Sequence, residues 1–156
     1  MAGKKAVRGF RVVKNAHKKF EAKTQLPVRA DAKSAGYDFY SKESYILAPN
    51  QTKVFWTDVK AYMLPDEVLM LFVRSSIGIK KGLSLANGTG IIDASYYNNP
   101  NNDGNIGIAL HNYSKKPVVI KEGERIAQGI FTKYLVTDRD TTLNEERSGG
   151  IGSSGE

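Results

Sequence analysis

The stretch VLMLFVRSSIGIKKGLSLANGTGIIDASYY, residues 68–97, holds the pattern that decides the fold. It opens on an apolar run over residues 68–74, rich in branched and aromatic side chains, too short for a globular helix and followed by a Gly-bearing turn. That combination predicts a strand. A short helix over residues 75–81 is the one helical segment the pattern supports. GLSLANG, residues 82–88, then reads as a strand running into Asn87-Gly88, the dipeptide that best tolerates a tight turn at positive φ, and a second apolar run follows. The two runs predict a β-hairpin.

Working outward, VFWTDV (54–59), IGIALHNY (106–113), PVVI (117–120) and IAQGIFTKYLV (126–136) read as further strands. Between them lie APNQ, LPDE, NNPNNDGN and KEGE, segments with turn chemistry and no room for the crossovers that parallel strands need. The expectation is therefore an all-β, jelly-roll-like antiparallel sandwich or barrel.

The chain has 156 residues, 40% hydrophobic and 25% charged, which suits one domain with a real core. That domain is expected over residues 1–145, with a flexible, glycine-rich C-terminal arm over 146–156. No apolar run reaches the ~18 residues of a membrane span, and MAGKKAVRGF has no apolar leader core, so no membrane role and a cytoplasmic location are expected. The absence of cysteine removes disulfides and thiolate metal sites.

The net charge of +7 is local: residues 1–23 carry eight basic side chains against Glu21 alone, and the remaining chain is balanced. No nucleic-acid module surrounds this segment, so a solvated strand and loop is the expectation and nucleic acid is not an expected partner.

Several stretches are unusual for a plain sandwich. Asp38 interrupts the aromatic run of SAGYDFYS (34–41). A strand delivers Arg74, Ser75 and Ser76 to a turn, where guanidinium, hydroxyls and backbone amides make an anion cradle. Asn87 and the hairpin backbone can pair with the edge of a base, while Asp93, with Tyr96 three residues on, is a carboxylate able to hold and deprotonate a water. Asp93 as a turn cap is an equal alternative on this stretch alone. Arg125 and Gln128 are polar within an apolar strand, which an edge position or an inter-subunit contact explains without a ligand. His17 and His111 lack a serine partner and read as structural, and there is no P-loop GxxxxGK[ST]. With no His/Cys cluster, only carboxylates and phosphates remain to coordinate a hard cation such as magnesium.

Taken in order, SAGYDF, VRSSIGIKKGLSLANG, GIIDASYY, GERIAQGIF and RSGGIGSSG resemble the five motifs of the homotrimeric dUTP diphosphatases across about residues 27–155. The resemblance implies hydrolysis of dUTP to dUMP and pyrophosphate with Mg2+, which keeps uracil out of DNA and supplies dUMP for dTMP synthesis. It also implies a homotrimer whose three sites each draw on all three subunits. By that resemblance Asp93 orients the attacking water, and Asp38 lies near the metal and its waters, the Mg2+ being held mainly by substrate phosphates. Arg74, Ser75, Ser76 and Gln128 serve the phosphates, Gln128 also counting among the catalytic set. Asn87, Gly90 and Ile92 form the uracil pocket with Asp93, and Tyr96 lies beneath the deoxyribose. Arg147, Gly150, Gly152, Ser153 and Ser154 wrap the triphosphate from the arm, and Ile151 covers the base. Glycine suits that wrapping because it allows positive φ and close approach.

Two departures stand out. Ile151 occupies a position where the family usually has Phe, beside one glycine fewer, and loss of stacking there implies up to about tenfold weaker binding, which Ile151→Phe should restore. YNNPNNDGN (97–105) replaces a shorter turn, as a longer hairpin or a partner-binding loop. The rival readings are a dUTP-binding sensor acting through a regulatory protein partner, and a dCTP deaminase. The deaminase ranks last because IGIALHN (106–112) carries no acid to face the pyrimidine.

Overall fold

The computed structural model describes residues 3–143. In chain order the strands are β1 Gly9–Val12, β2 Val28–Arg29, β3 Tyr37–Tyr40, β4 Tyr45–Leu47, β5 Thr52–Trp56 and β6 Val59–Tyr62, followed by β7 Glu67–Val73, β8 Leu83–Leu85, β9 Gly90–Asp93, β10 Gly107–Asn112, β11 Val118–Ile120 and β12 Arg125–Lys133. Every pairing is antiparallel. A five-stranded sheet in the order β2-β3-β12-β7-β9 packs against a three-stranded sheet, β5-β10-β8, with the pairs β1-β6 and β11-β4 beside them. No helix among the described residues is long and apolar enough to cross a membrane.

Alternation places the core. On β7, Leu69 and Leu71 are buried and meet Phe39 and Ile126 of the same sheet and Phe55, Ile108 and Leu110 of the other. Phe10 of β1 closes one end, its ring 5.3 Å from Tyr37, 5.4 Å from Phe131 and 5.6 Å from Phe39. The opposite face of the large sheet carries apolar residues toward its edges: Met70 and Phe72 are half-buried, Ile91, paired with Met70, is 53% exposed, and Val28, paired with Asp38 on the other side, is 51% exposed.

The antiparallel body agrees with the sequence pattern, and so does the helical segment, a wide π-type turn over Ser76–Lys80 closed by Lys81 N–H to the Ser76 carbonyl at 3.3 Å. Four expectations need correction. The run over 54–59 is not one strand: β5 ends at Trp56 and β6 starts at Val59, because Asp58 adopts φ +57° and breaks the ladder. The Asn87-Gly88 turn closes no hairpin ladder, since β8 and β9 belong to different sheets. Gln128 is not on an edge, because β12 lies in the middle of its sheet, whereas Arg125 pairs with Tyr40 of β3 alone and lies past the end of the β7 ladder. Nor do residues 97–105 form a longer hairpin; they are a loop running from a helical turn at Ala94–Tyr96 to β10.

The basic N-terminal segment is fastened to the body. Arg8 Nε pairs with the buried Glu67 at 2.8 Å, the Lys14 amide donates to Asp103 Oδ2 at 2.8 Å, and the Lys19 and Phe20 amides donate to the fully buried Asp58 at 2.8 and 3.1 Å. Buried carboxylates need such donors, and here the backbone supplies most of them.

Candidate active site

The sequence-predicted residues fall into two groups. In the first, Asp38, Gln128 and Phe72 stand opposite one another on β3, β12 and β7, so the Asp38 and Gln128 side chains share the outward face of the sheet. Asp38 is only 5% exposed. Arg74, leaving the end of β7, places Nε 3.0 Å from Asp38 Oδ1, and Arg125 brings Nη1 to 3.4 Å from Oδ2. The carboxylate fixes both guanidiniums where the chain turns. The Arg74 carbonyl accepts the amides of Ile77 and Gly78 at 3.0 and 2.9 Å, which shapes the turn and leaves Ser75 and Ser76 exposed on it. Gly36 leaves room for the Gln128 amide, since a Cβ there would stand 2.5 Å from Gln128 Oε1 and make that side chain shift.

The second group surrounds a cavity of about 550 Å³ between the sheets, lined by Leu85, Asn87, Gly90, Ile92, Asp93, Tyr96 and Ile108 among others. β8 and β9 are each the outermost strand of their own sheet, so the slot between them is bordered by two strand edges. Edges present main-chain donors and acceptors, the complement of a flat heterocycle with a hydrogen-bonding rim. Gly90 admits the close fit of β9 on β7, because a Cβ would lie 2.8 Å from Leu71 Cβ. Tyr96 is buried, its hydroxyl donating to the Asn105 carbonyl at 2.6 Å and accepting from Asn102 Nδ2 at 2.8 Å.

A single chain does not bring the two groups together. Asp93 pairs with Val68 near the start of β7, and Arg74 follows its last residue, Val73. Six residues of extended strand separate the two positions by about 20 Å.

No cluster of three or more metal-ligating side chains occurs among the described residues. Both oxygens of Asp38 already face guanidiniums, so this donor set suits a Mg2+ carried in on phosphate oxygens rather than a protein-built cage. Arg147, Gly150, Ile151, Gly152, Ser153 and Ser154 lie outside the described residues.

A comparison with family models finds the dUTPase family aligned with residues 22–155. The chain belongs to the dUTPase family. It is 45% identical over 150 residues to a deoxyuridine 5'-triphosphate nucleotidohydrolase of Lactococcus lactis, covering 96% of this chain and 98% of the relative. To a mouse protein of the same description it is 32% identical over 133 residues, covering 83% and 77%. Among solved structures, a Streptococcus mutans dUTPase superposes with a TM-score of 0.75 at 42% identity, covering 83% of this chain and 98% of that one.

Within the fourth motif the structure brings in Arg125 beside Gln128, and beyond the motifs it brings in the asparagines of the 97–105 loop. A register shift between Arg125 and Ala127 turns Arg125 toward Asp38. Its signal in the sequence was a cation heading an apolar strand. The asparagines carried no signal beyond their number, because their partners lie on Tyr96 and on the distant Asp58 and His17.

Proposed function

We propose that the chain hydrolyses dUTP to dUMP and pyrophosphate as a homotrimer, each site joining the slot of one copy to the Asp38–Arg74 cluster of another. The observation that carries this reading is the ~20 Å along β7 between Asp93 and Arg74, too far for one chain to hold a base and its phosphates with both. The exposed apolar face bearing Ile91 and Val28 supports burial against further copies.

In this reading uracil enters the slot between β8 and β9, where Asn87 and the Gly90–Ile92 backbone read its rim. Tyr96 lies under the deoxyribose. Asp93 orients a water toward the α-phosphorus and accepts its proton as the new P–O bond forms and the bond to the pyrophosphate oxygen breaks. Arg74, Ser75, Ser76 and Gln128 receive the phosphate charge that develops on the way, and Asp38 holds Arg74 in place. Mg2+ bound to the triphosphate supplies charge neutralisation and orientation. The roles toward the triphosphate and the base that the family resemblance implies for Arg147, Gly150, Ile151, Gly152, Ser153 and Ser154 belong to this reading as well. The cysteine-free chain suits the reducing cytoplasm.

The test is pyrophosphate release from dUTP, dTTP, dCTP and UTP with Mg2+, for wild type and Asp93→Asn. Release from dUTP alone, lost by orders of magnitude in a variant that still binds dUTP, is the expected result. Ammonia release from dCTP, or tight dUTP binding without turnover, overturns it.

A further inference from the structure

We infer that the 97–105 loop is a specificity device for the sugar, in which Asn102 acts as a positioning residue through the Tyr96 hydroxyl. This inference rests on the placement of Tyr96 beneath the deoxyribose.

Tyr96 is held at both ends by one short segment. At its hydroxyl, Asn102 Nδ2 donates at 2.8 Å while the hydroxyl itself donates to the Asn105 carbonyl at 2.6 Å. At its backbone, Asn99 Nδ2 donates to the Tyr96 carbonyl at 2.8 Å. The two holds are joined, because Asn99 Nδ2 also donates to Asn102 Oδ1 at 2.7 Å, and that oxygen accepts the Gly104 amide at 3.0 Å. With its oxygen spent on the turn, the Asn102 amide has one orientation, and its N–H points at the tyrosine.

The hold is anchored outside the loop. Asn105 Oδ1 accepts the Asp58 amide at 2.9 Å and its Nδ2 donates to Asp58 Oδ1 at 2.9 Å, both in the buried interior. Asp103 is clamped by Lys60 at 2.8 Å and the Lys14 amide at 2.8 Å. The loop therefore has no freedom to follow the ring; the ring is fixed to it.

A ribonucleotide differs from its deoxy counterpart by one hydroxyl, and a ring free to tilt makes room for it. Rejection by crowding works only when the wall does not move. A fixed Tyr96 is such a wall.

The experiment measures kcat/KM for dUTP and UTP in wild type, Asn102→Ala, Tyr96→Phe and the double variant, with thermal unfolding and trimer mass on each. Asn102→Ala is expected to lower the dUTP:UTP ratio by about fivefold to tenfold, mainly through a lower KM for UTP. Tyr96→Phe, which keeps the ring and removes the held hydroxyl, should lower it similarly, and the double variant should lose no more than either single one. An unchanged ratio in folded Asn102→Ala, an unchanged ratio in Tyr96→Phe, or additive losses in the double variant each overturn the inference. If Asn102→Ala does not fold, Tyr96→Phe alone decides. A wild type inactive on both nucleotides instead overturns the functional reading on which the inference stands.

Discussion

Asp93 and Arg74 stand at opposite ends of β7, one paired with its second residue and the other following its last. If each site takes Asp93 from one copy and Arg74 from another, two inactive variants can repair each other. Asp93→Asn and Arg74→Ala trimers, dissociated, mixed in equal amounts and reassembled, should regain about a quarter of wild-type activity, the share of sites receiving both intact halves on random mixing. No recovery in mixed trimers verified by mass would show that one chain supplies both.

The Asp38–Arg74 pair should be asymmetric in stability. Asp38 is almost fully buried, whereas the Arg74 side chain is 26% exposed and reaches water when freed. Arg74→Ala leaves a buried carboxylate with only the longer Arg125 contact and should cost about 2 to 3 kcal/mol; Asp38→Asn should cost about 1 kcal/mol. Urea unfolding of both variants checks the order, and equal losses would contradict it.

Acid should loosen the clamp on the 97–105 loop. Burial pushes the Asp103 carboxyl upward, but the Lys60 ammonium and the Lys14 amide outweigh it and hold the pKa below the ordinary value. Its folded pKa is thus below its unfolded one, so the unfolded state takes up the proton first as pH falls. The stabilisation is complete above the unfolded value, about pH 4, and is lost as pH drops through the folded value. Asp103→Asn should lower the urea midpoint at pH 7, with a gap to wild type that narrows below about pH 4. A gap that is constant across pH would refute this.

Gly104 and Gly123 offer a controlled comparison. Both have positive φ, +87° and +81°, but a Cβ on Gly104 would stand 2.8 Å from the Tyr96 carbonyl, whereas one on Gly123 meets nothing within 4 Å. Gly123→Ala should cost about 1 kcal/mol from backbone strain alone, and Gly104→Ala at least ~2 kcal/mol. Calorimetry of the two variants reads the difference.

What the residues revealed in advance was whatever local pattern encodes. The runs that became β7, β10 and β12 were legible because alternation and turn chemistry are local, and so was the helical turn after Arg74. The break at Asp58 was not: its carboxylate is held by the amides of Lys19 and Phe20, nearly forty residues upstream. The split of β8 and β9 between sheets was hidden for the same reason, since an Asn-Gly turn specifies a reversal but not which partners the two strands find. In the candidate site, Asp38, Arg74 and Gln128 could be grouped by motif, yet their face-to-face register and the arrival of Arg125 depend on pairings across the chain. The asparagines around Tyr96 were visible as composition and silent as structure.

The slot bounded by β8 and β9 has a width set by how far apart two packed sheets lie, not by the turn that joins the strands. Its calibration therefore resides in the interior. Shaving a methylene from Leu85 or Ile108, neither of which needs to touch a ligand's polar rim, would change the gap between the edges as surely as altering Asn87. In such a molecule substrate preference and core volume are one quantity under two names, and selection acting on either must move the other.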